Sequence, residues 1–214
     1  MITTTRSGSV LVITADDGEN RFSQAGLDEW AKALDEAEQD ETVAAVVTTG
    51  AGKFYSNGLD VEVLGSSEGG PYLDRVVSLL ARVVSLPVVT VAAINGHAFG
   101  AGAMLTLAHD LRVMRSDRGY FCLPEVDLGL GFMPIMSELC RSKLSHRTAQ
   151  EAMTFGLRYG GQSALDNGIV HALAAEDQVV ADAVALAAER GGKNRDALTR
   201  IKADIYAPIL ALRP

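Results

Sequence analysis

The most informative segment of the sequence for the fold is Val88-Val89-Thr90-Val91-Ala92-Ala93-Ile94-Asn95-Gly96-His97-Ala98-Phe99-Gly100-Ala101-Gly102, residues 88–102. Its first half belongs to a run from Pro87 to Ile94 of small, apolar and β-branched residues, which predicts a strand buried on both faces. Asn95-Gly96 stops that strand. The Gly/Ala turn that follows leads into residues 100–109, which we interpret as a helix. A buried strand that passes through a tight turn into a helix is typical of a layered α/β fold.

Strands and helices alternate on both sides of this stretch. Continuous apolar or β-branched runs predict a short strand before residue 6 and further strands at 9–14, 43–49, 111–115 and 120–123. Apolar residues at helical spacing predict helices at 22–39 and 71–85, and a helical chain from Met133 onward that includes an alanine-rich helix at 176–190. Residues 65–70 predict a mobile surface loop. The alternation predicts one α/β domain, residues 1–214, with a largely parallel sheet.

The composition excludes several classes of function. With 19 basic and 27 acidic residues, the 214-residue chain carries a net charge of −8, so neither nucleic acid nor an anionic membrane is an expected partner. The N-terminus lacks the apolar segment of a signal peptide, and polar residues interrupt the apolar region 79–108, so we expect a cytoplasmic protein. Cys122 and Cys140 are expected to be buried thiols. No histidines have metal-ligand spacing, so no metal is expected.

The turn Gly100-Ala101-Gly102 has two interpretations. Its small side chains leave backbone N–H groups uncovered at the start of a helix, where they are unpaired and lie at the positive end of the helix dipole. Such a site suits an anion or a developing oxyanion. Alternatively, small residues here simply allow the helix to pack closely against a strand. The spacing matches neither a phosphate-binding loop nor a dinucleotide fingerprint.

Glu125 also has two interpretations. It follows a predicted strand and lies among apolar neighbours in the segment 123–134. A carboxylate in such company is either a solvated loop acid or a buried group with a raised pKa, and a raised pKa suits a proton-transfer residue. A small basic cluster follows, and it is either a solvated helix face or a contact for ligand phosphates: Arg141, Lys143, His146 and Arg147.

Taken together, these segments resemble the crotonase superfamily, also called the enoyl-CoA hydratase/isomerase family. The resemblance spans nearly the whole chain and rests on four motifs in the family's order. They are the stretch 88–102, Phe121-Cys122-Leu123-Pro124-Glu125-Val126-Asp127-Leu128-Gly129-Leu130, Thr154-Phe155-Gly156-Leu157-Arg158-Tyr159, and Ala164-Leu165-Asp166-Asn167-Gly168-Ile169-Val170. The resemblance implies a spiral of ββα units over about residues 1–190 and a short C-terminal helical segment over about 191–214. It also implies a homotrimer or hexamer.

The resemblance assigns roles to individual residues. The family stabilises a thioester enolate with two backbone N–H groups, and those donors map onto Asn57 and Ala101. Glu125 matches a catalytic glutamate. The expected substrate contacts are Gly58, Leu59 and Asp60 in the loop along the CoA moiety, and Leu64, Phe132 and Met133 in the acyl pocket. Ser56 and Gly100 are also expected to bind the substrate. The CoA thioester is the substrate, and no separate cofactor is expected.

Met104 departs from the pattern of the family's hydratases, which carry a second glutamate at that position. A single carboxylate beside an enolate site suits a proton shuttle, and an apolar neighbour disfavours water addition. The resemblance therefore favours a Δ3,Δ2-enoyl-CoA isomerase, an enzyme of fatty-acid β-oxidation. Two alternatives remain: a hydratase or another crotonase-type reaction, and an acyl-CoA-binding subunit without activity.

Overall fold

The computed structural model describes all 214 residues, Met1–Pro214. The nine strands are β1 (Ile2–Ser7), β2 (Val10–Ala15), β3 (Ala45–Gly50), β4 (Phe54–Ser56), β5 (Val89–Ile94), β6 (His97–Phe99), β7 (Leu111–Arg115), β8 (Phe121–Cys122) and β9 (Ala172–Ala174). The ten helices are α1 (Gln24–Gln39), α2 (Val61–Leu64), α3 (Gly69–Ser85), α4 (Ala101–Ala108), α5 (Pro134–Lys143), α6 (His146–Phe155), α7 (Gly161–Asp166), α8 (Val179–Arg190), α9 (Arg195–Ile205) and α10 (Ala207–Leu210).

The strands form two sheets. The larger has the order β1-β2-β3-β5-β7-β9, and the smaller has the order β4-β6-β8. Only the β1–β2 pair is antiparallel. Three successive strand pairs, β3-β4, β5-β6 and β7-β8, each add one strand to the large sheet and one to the small sheet before the chain returns through helices. This repeat confirms the expected spiral of ββα units.

Both faces of the large sheet are covered over β2, β3, β5 and β7, which explains why these four strands are almost entirely buried. Val46 and Ala92 point into the main core with α1, α3 and α4, whereas Val47 and Val91 point into a second core beneath α8. Every residue of β3 is buried. Strands β3 and β5 are followed by β4 and β6 of the small sheet, and both of these short strands contact α4.

Some sequence-based expectations on secondary structure were wrong. The expected loop 65–70 is shorter, because α3 already begins at Gly69. The chain after Met133 is not entirely helical, since β9 joins the edge of the large sheet. Strands β4 and β6 were not predicted, because three residues are too few to show a period of two. None of the ten helices combines the length and apolarity that spanning a membrane needs.

A buried ion pair attaches α9, the helix after α8, to the rest of the domain. The Lys202 ammonium, 3% exposed, donates to Asp110 Oδ2 at 2.7 Å and to the Val88 carbonyl at 2.9 Å. Because an unpaired charge at that depth is costly, both contacts are needed to hold Lys202 inside. They attach α9 to the start of β5, the strand that leads to the site.

Candidate active site

A cavity of about 340 Å³ opens where α4 begins, beside the loops that follow β4 and β8. Seven of the sequence-predicted site residues line it: Asn57, Leu59, Leu64, Gly100, Ala101, Glu125 and Met133. Ten further residues complete the wall: Arg21, Val61, Leu73, Phe99, Met104, Pro124, Leu128, Leu130, Gly131 and Met136. Glu125 is the only carboxylate in this lining, and Arg21 is the only cation. The wall is otherwise mainly apolar, which suits a hydrophobic ligand.

Glu125 is a buried carboxyl group with one oxygen that has no hydrogen-bond partner. It is 9% exposed, and no group of the protein hydrogen-bonds its Oε2. Burial raises the pKa of Glu125 to about 7, because desolvation penalises the charged form. A carboxyl group with that pKa can both accept and return a proton near neutral pH. The solvated-loop interpretation of Glu125 is therefore wrong.

Gly100 allows the carboxyl group to approach the start of α4. Its φ is +52°, and a Cβ added at this position would lie 3.2 Å from Glu125 Oε1. A larger residue would be strained by the backbone angle and would crowd the carboxylate. The glycine thus brings Glu125 close to the first N–H groups of α4.

Ala101 presents a free backbone donor. It is the first residue of α4, is 2% exposed, and its N–H makes no hydrogen bond within the protein. The first N–H groups of a helix lack intrahelical acceptors and carry partial positive charge. The sequence-based assignment of Ala101 as an anion-stabilising donor is consistent with this geometry.

Asn57 cannot be the second donor as expected. Its N–H donates to the Glu19 carbonyl at 2.9 Å, and its side-chain amide donates to Glu19 Oε2 at 3.1 Å. The next N–H, of Gly58, donates to Ser56 Oγ at 3.2 Å. Leu59 carries the first N–H in this loop that has no partner. The candidate second donor is therefore Leu59.

The orientation of the peptide between Gly58 and Leu59 supports this reassignment. Its carbonyl accepts a hydrogen bond from the Phe22 N–H at 2.9 Å. In a trans peptide the carbonyl and the N–H point in opposite directions. The Leu59 N–H is therefore directed away from Phe22, and Leu59 lines the same cavity as Ala101.

Four expected substrate contacts do not line the cavity: Ser56, Gly58, Asp60 and Phe132. Ser56 Oγ donates to the Asn20 carbonyl, and Asp60 caps α2 by accepting from the N–H groups of Glu62 and Val63. Gly58 has φ +79°, and a Cβ there would lie 2.7 Å from the Phe99 carbonyl. These three residues shape the loop. Phe132 is partly buried and packs against the core.

The basic cluster does not act as one surface. Lys143 points inward, where its ammonium donates to the Tyr206 hydroxyl at 2.7 Å and to the His109 carbonyl at 3.3 Å. Burial lowers the pKa of Lys143 to about 7. Arg147 is exposed and pairs with Glu151 one helical turn away. None of the four basic residues lines the cavity.

Replacing Glu125 with Gln is expected to stabilise the protein at alkaline pH. Because its folded pKa of about 7 lies above the ordinary 4.5, the folded state holds its proton more tightly than the unfolded chain. The carboxyl group therefore lowers stability progressively as pH rises from about 4.5 to about 7. In urea unfolding, the free energy of unfolding of the variant, relative to that of the wild type, should increase by about 2–3 kcal/mol from pH 5 to pH 8. A difference that is constant across this range would mean that the carboxyl group is well solvated.

Comparison with known proteins gives consistent matches along the whole chain. The family model described as enoyl-CoA hydratase/isomerase matches residues 5–210. Enoyl-CoA delta isomerase 2, peroxisomal, of Arabidopsis thaliana is 32% identical over 220 residues, covering 98% of this chain and 90% of that relative. A probable enoyl-CoA hydratase of Mycobacterium tuberculosis is 33% identical, covering 92% of this chain and 78% of its own length.

A solved structure has nearly the same fold. The apo structure of an enoyl-CoA isomerase of Mycobacterium tuberculosis superposes with a TM-score of 0.93 at 30% identity, covering 99% of this chain and 93% of that one. The similar proteins thus include both isomerases and hydratases. Similarity alone does not choose between these two reactions, and the choice depends on the side chains of the cavity.

Proposed function

The chain belongs to the enoyl-CoA hydratase/isomerase family, and we propose that it moves the double bond of a 3-enoyl-CoA to the 2-position. One observation carries the proposal: Glu125 is the only carboxylate in a largely apolar cavity that also contains the unpaired N–H groups of Leu59 and Ala101. An enolate needs donors for its oxygen, and a double-bond shift needs one group that moves a proton.

In this mechanism the thioester oxygen accepts hydrogen bonds from the Leu59 and Ala101 N–H groups. Glu125 removes a proton from C2, and the electron pair delocalises over the thioester carbonyl and the C3–C4 double bond. The protonated Glu125 then delivers the proton to C4, which leaves the double bond between C2 and C3. Glu125 ends the cycle as it began, and no water or cofactor is consumed.

Met104 favours isomerisation over hydration. It is 1% exposed and lines the cavity close to the oxyanion donors. Adding water to a 2-enoyl thioester requires groups that orient and activate the water, and a thioether is at best a weak acceptor. An apolar wall also excludes water from the reacting carbons.

A hydratase is the second candidate function, since one of the similar proteins is described as a probable enoyl-CoA hydratase. Glu125 would then act on a water molecule without a second carboxylate in the cavity lining. A chain that binds acyl-CoA without turnover is the third. The first two candidates form different products, and the third forms none.

The test is to give the purified protein 3-hexenoyl-CoA and 2-hexenoyl-CoA separately and to identify the products by liquid chromatography against authentic standards, because the two hexenoyl-CoA isomers have the same mass. We expect 2-hexenoyl-CoA from the first substrate and little 3-hydroxyhexanoyl-CoA from the second. Rapid hydration of 2-hexenoyl-CoA would establish the hydratase and contradict the isomerase. Stoichiometric binding without any product would favour the binding subunit.

The expected trimer or hexamer is part of the same proposal. Leu128 and Leu130 line the cavity, yet they are 62% and 43% exposed. Apolar residues at the edge of a site are surface that a neighbouring copy could cover. Assembly would then make the cavity more enclosed than it is in one chain.

A further inference from the structure

We propose that Arg21 and Tyr72 are positioning residues that hold Leu59 so that its N–H remains the free donor to the substrate. The inference rests on the proposed function, because it concerns the oxyanion donor of that reaction. It assigns a role to two side chains that lie outside the motifs on which the resemblance is based.

The evidence is the complete set of backbone hydrogen bonds around Leu59. Two peptide groups flank this residue, and they contain four polar atoms. The Gly58 carbonyl accepts from the Phe22 N–H at 2.9 Å, and the Leu59 carbonyl accepts from Arg21 Nη1 at 2.9 Å. The Asp60 N–H donates to the Tyr72 hydroxyl at 2.7 Å. Three of the four groups are thus held, and only the Leu59 N–H is open.

Arg21 is itself held in place. Its Nε donates to Glu19 Oε2 at 2.7 Å, and the same carboxylate accepts from the Asn57 side chain at 3.1 Å. A hydrogen bond from a charged guanidinium to a carbonyl is stronger than one between neutral groups. Arg21 therefore fixes the Leu59 carbonyl from the β2–α1 loop, and its two bonded nitrogens cannot turn freely towards a ligand.

Tyr72 holds the opposite end of the same peptide group. It lies in the first turn of α3, it is 1% exposed, and burial raises its pKa to about 12, so its hydroxyl stays neutral. The peptide that follows Leu59 is thus fixed at its carbonyl by Arg21 and at its N–H by Tyr72. Such double anchoring restricts rotation about the backbone bonds of Leu59.

The consequence for catalysis is specific. A donor stabilises a developing oxyanion only when it is preorganised at the correct distance. A displacement of about 1 Å in a catalytic geometry can cost about 10²-fold in rate. Loosening Leu59 should therefore lower kcat while leaving most of the binding of the CoA thioester intact.

The first experiment replaces Arg21 with Met, which keeps the length of the side chain and removes its donors. We expect kcat for 3-hexenoyl-CoA to fall roughly 10- to 100-fold, KM to stay within about twofold, and the pH midpoint of kcat to stay near the wild-type value. Arg21→Lys, which retains a donor, should recover part of the loss. Arg75→Met is the matched control, since Arg75 has similar side-chain exposure (37% against 35%) and pairs with Asp28 outside the cavity lining; its kcat should be unchanged.

Other outcomes overturn the proposal. A raised KM at normal kcat would show that Arg21 binds the CoA moiety instead. A pH midpoint that moves, with kcat restored at another pH, would show that the charge of Arg21 acts on Glu125. An unchanged kcat would show that Leu59 needs no anchor. Should Arg21→Met not fold, Tyr72→Phe removes the bond to the Asp60 N–H and must produce the same drop in kcat.

A binding measurement separates this inference from the proposed function. A CoA thioester of an aryl-conjugated enoic acid absorbs at longer wavelength when its carbonyl is polarised by hydrogen bonds. Bound to the wild type it should show this red shift even if the protein isomerises nothing, and Arg21→Met should diminish the shift. A red shift without isomerisation would reject the isomerase only. An equal red shift in the wild type and in Arg21→Met would reject the positioning role only.

Discussion

Substituting Glu125 with Gln is expected to lower kcat for 3-hexenoyl-CoA isomerisation by at least about 10³-fold. General acid–base catalysis contributes about 10²–10⁴-fold for one proton transfer, and here one side chain performs both transfers. The substitution is nearly isosteric, and Glu125 Oε2 has no hydrogen-bond partner to lose. Binding of the CoA thioester should therefore persist, with KM close to that of the wild type.

The pH profile provides the accompanying measurement. Because the pKa of Glu125 is raised to about 7 and the ionised form is the base, kcat/KM of the wild type should rise with pH and level off above about 7. The residual activity of the Gln variant should not follow that curve. Glu138→Gln is a suitable control, since Glu138 lies on α5 outside the cavity lining and pairs with Arg141. Activity of Glu125→Gln within tenfold of the wild type would exclude Glu125 as the base.

The elements that the sequence predicted well are those whose pattern reflects burial. Strands β2, β3, β5 and β7 are buried along nearly their whole length and rich in apolar residues, because α8 covers one face of their sheet and the main core covers the other. Their boundaries differ from the predicted ones by at most two residues. In contrast, β4, β6 and β9 are three residues long, and their pairing depends on strands distant in sequence. No local pattern reports that kind of contact.

The sequence predicted where the candidate site lies, but not which backbone N–H groups are free there. Glu125 and Ala101 are where the motif analysis placed them, on the wall of one cavity. The prediction of Asn57 rather than Leu59 as a donor was wrong, because the sequence does not show which N–H groups of this loop already have a hydrogen-bond acceptor within the protein. Glu19 takes the Asn57 N–H, and Ser56 takes the Gly58 N–H. Both bonds are tertiary or turn-specific, so motif position alone could not distinguish adjacent amides.

Arg21 and Met136 illustrate residues that sequence analysis missed. Arg21 lies about 40 residues before the loop it supports, in a segment with no motif of its own. Met136 lies in α5, and the side of the helix on which it lies can be predicted only when Pro134 is known to be the first residue of that helix. Phe132 is the converse case, because an apolar residue in a motif was expected in the pocket but packs against the core. Apolar character predicts burial, but not which apolar surface is contacted.

Replacing Ala101 with Pro should remove one oxyanion donor while leaving the helix in place. Proline lacks the N–H, and the first helical position is where a helix tolerates it best. The protein already begins α5 with Pro134 at this position. The preceding residue is Gly100, whose φ of +52° and ψ of −125° mirror an extended conformation that glycine can adopt before proline. Loss of one such donor typically costs about 10²–10³ in rate.

The Pro variant should therefore lose about 10²–10³-fold in kcat, with a folded structure by circular dichroism and an unfolding temperature near that of the wild type. The Cδ of proline would also occupy the position of the missing hydrogen, so the thioester oxygen could not approach Ala101 at its usual distance. Ala101→Gly keeps the N–H and should remain within about tenfold of the wild type, which separates the donor from the side chain. If both variants lost the same activity, the side chain at position 101 would matter and the N–H would not. If the Pro variant remained fully active, the N–H at the start of α4 would have no part in holding the enolate oxygen. The Leu59 N–H would then be the only remaining candidate donor.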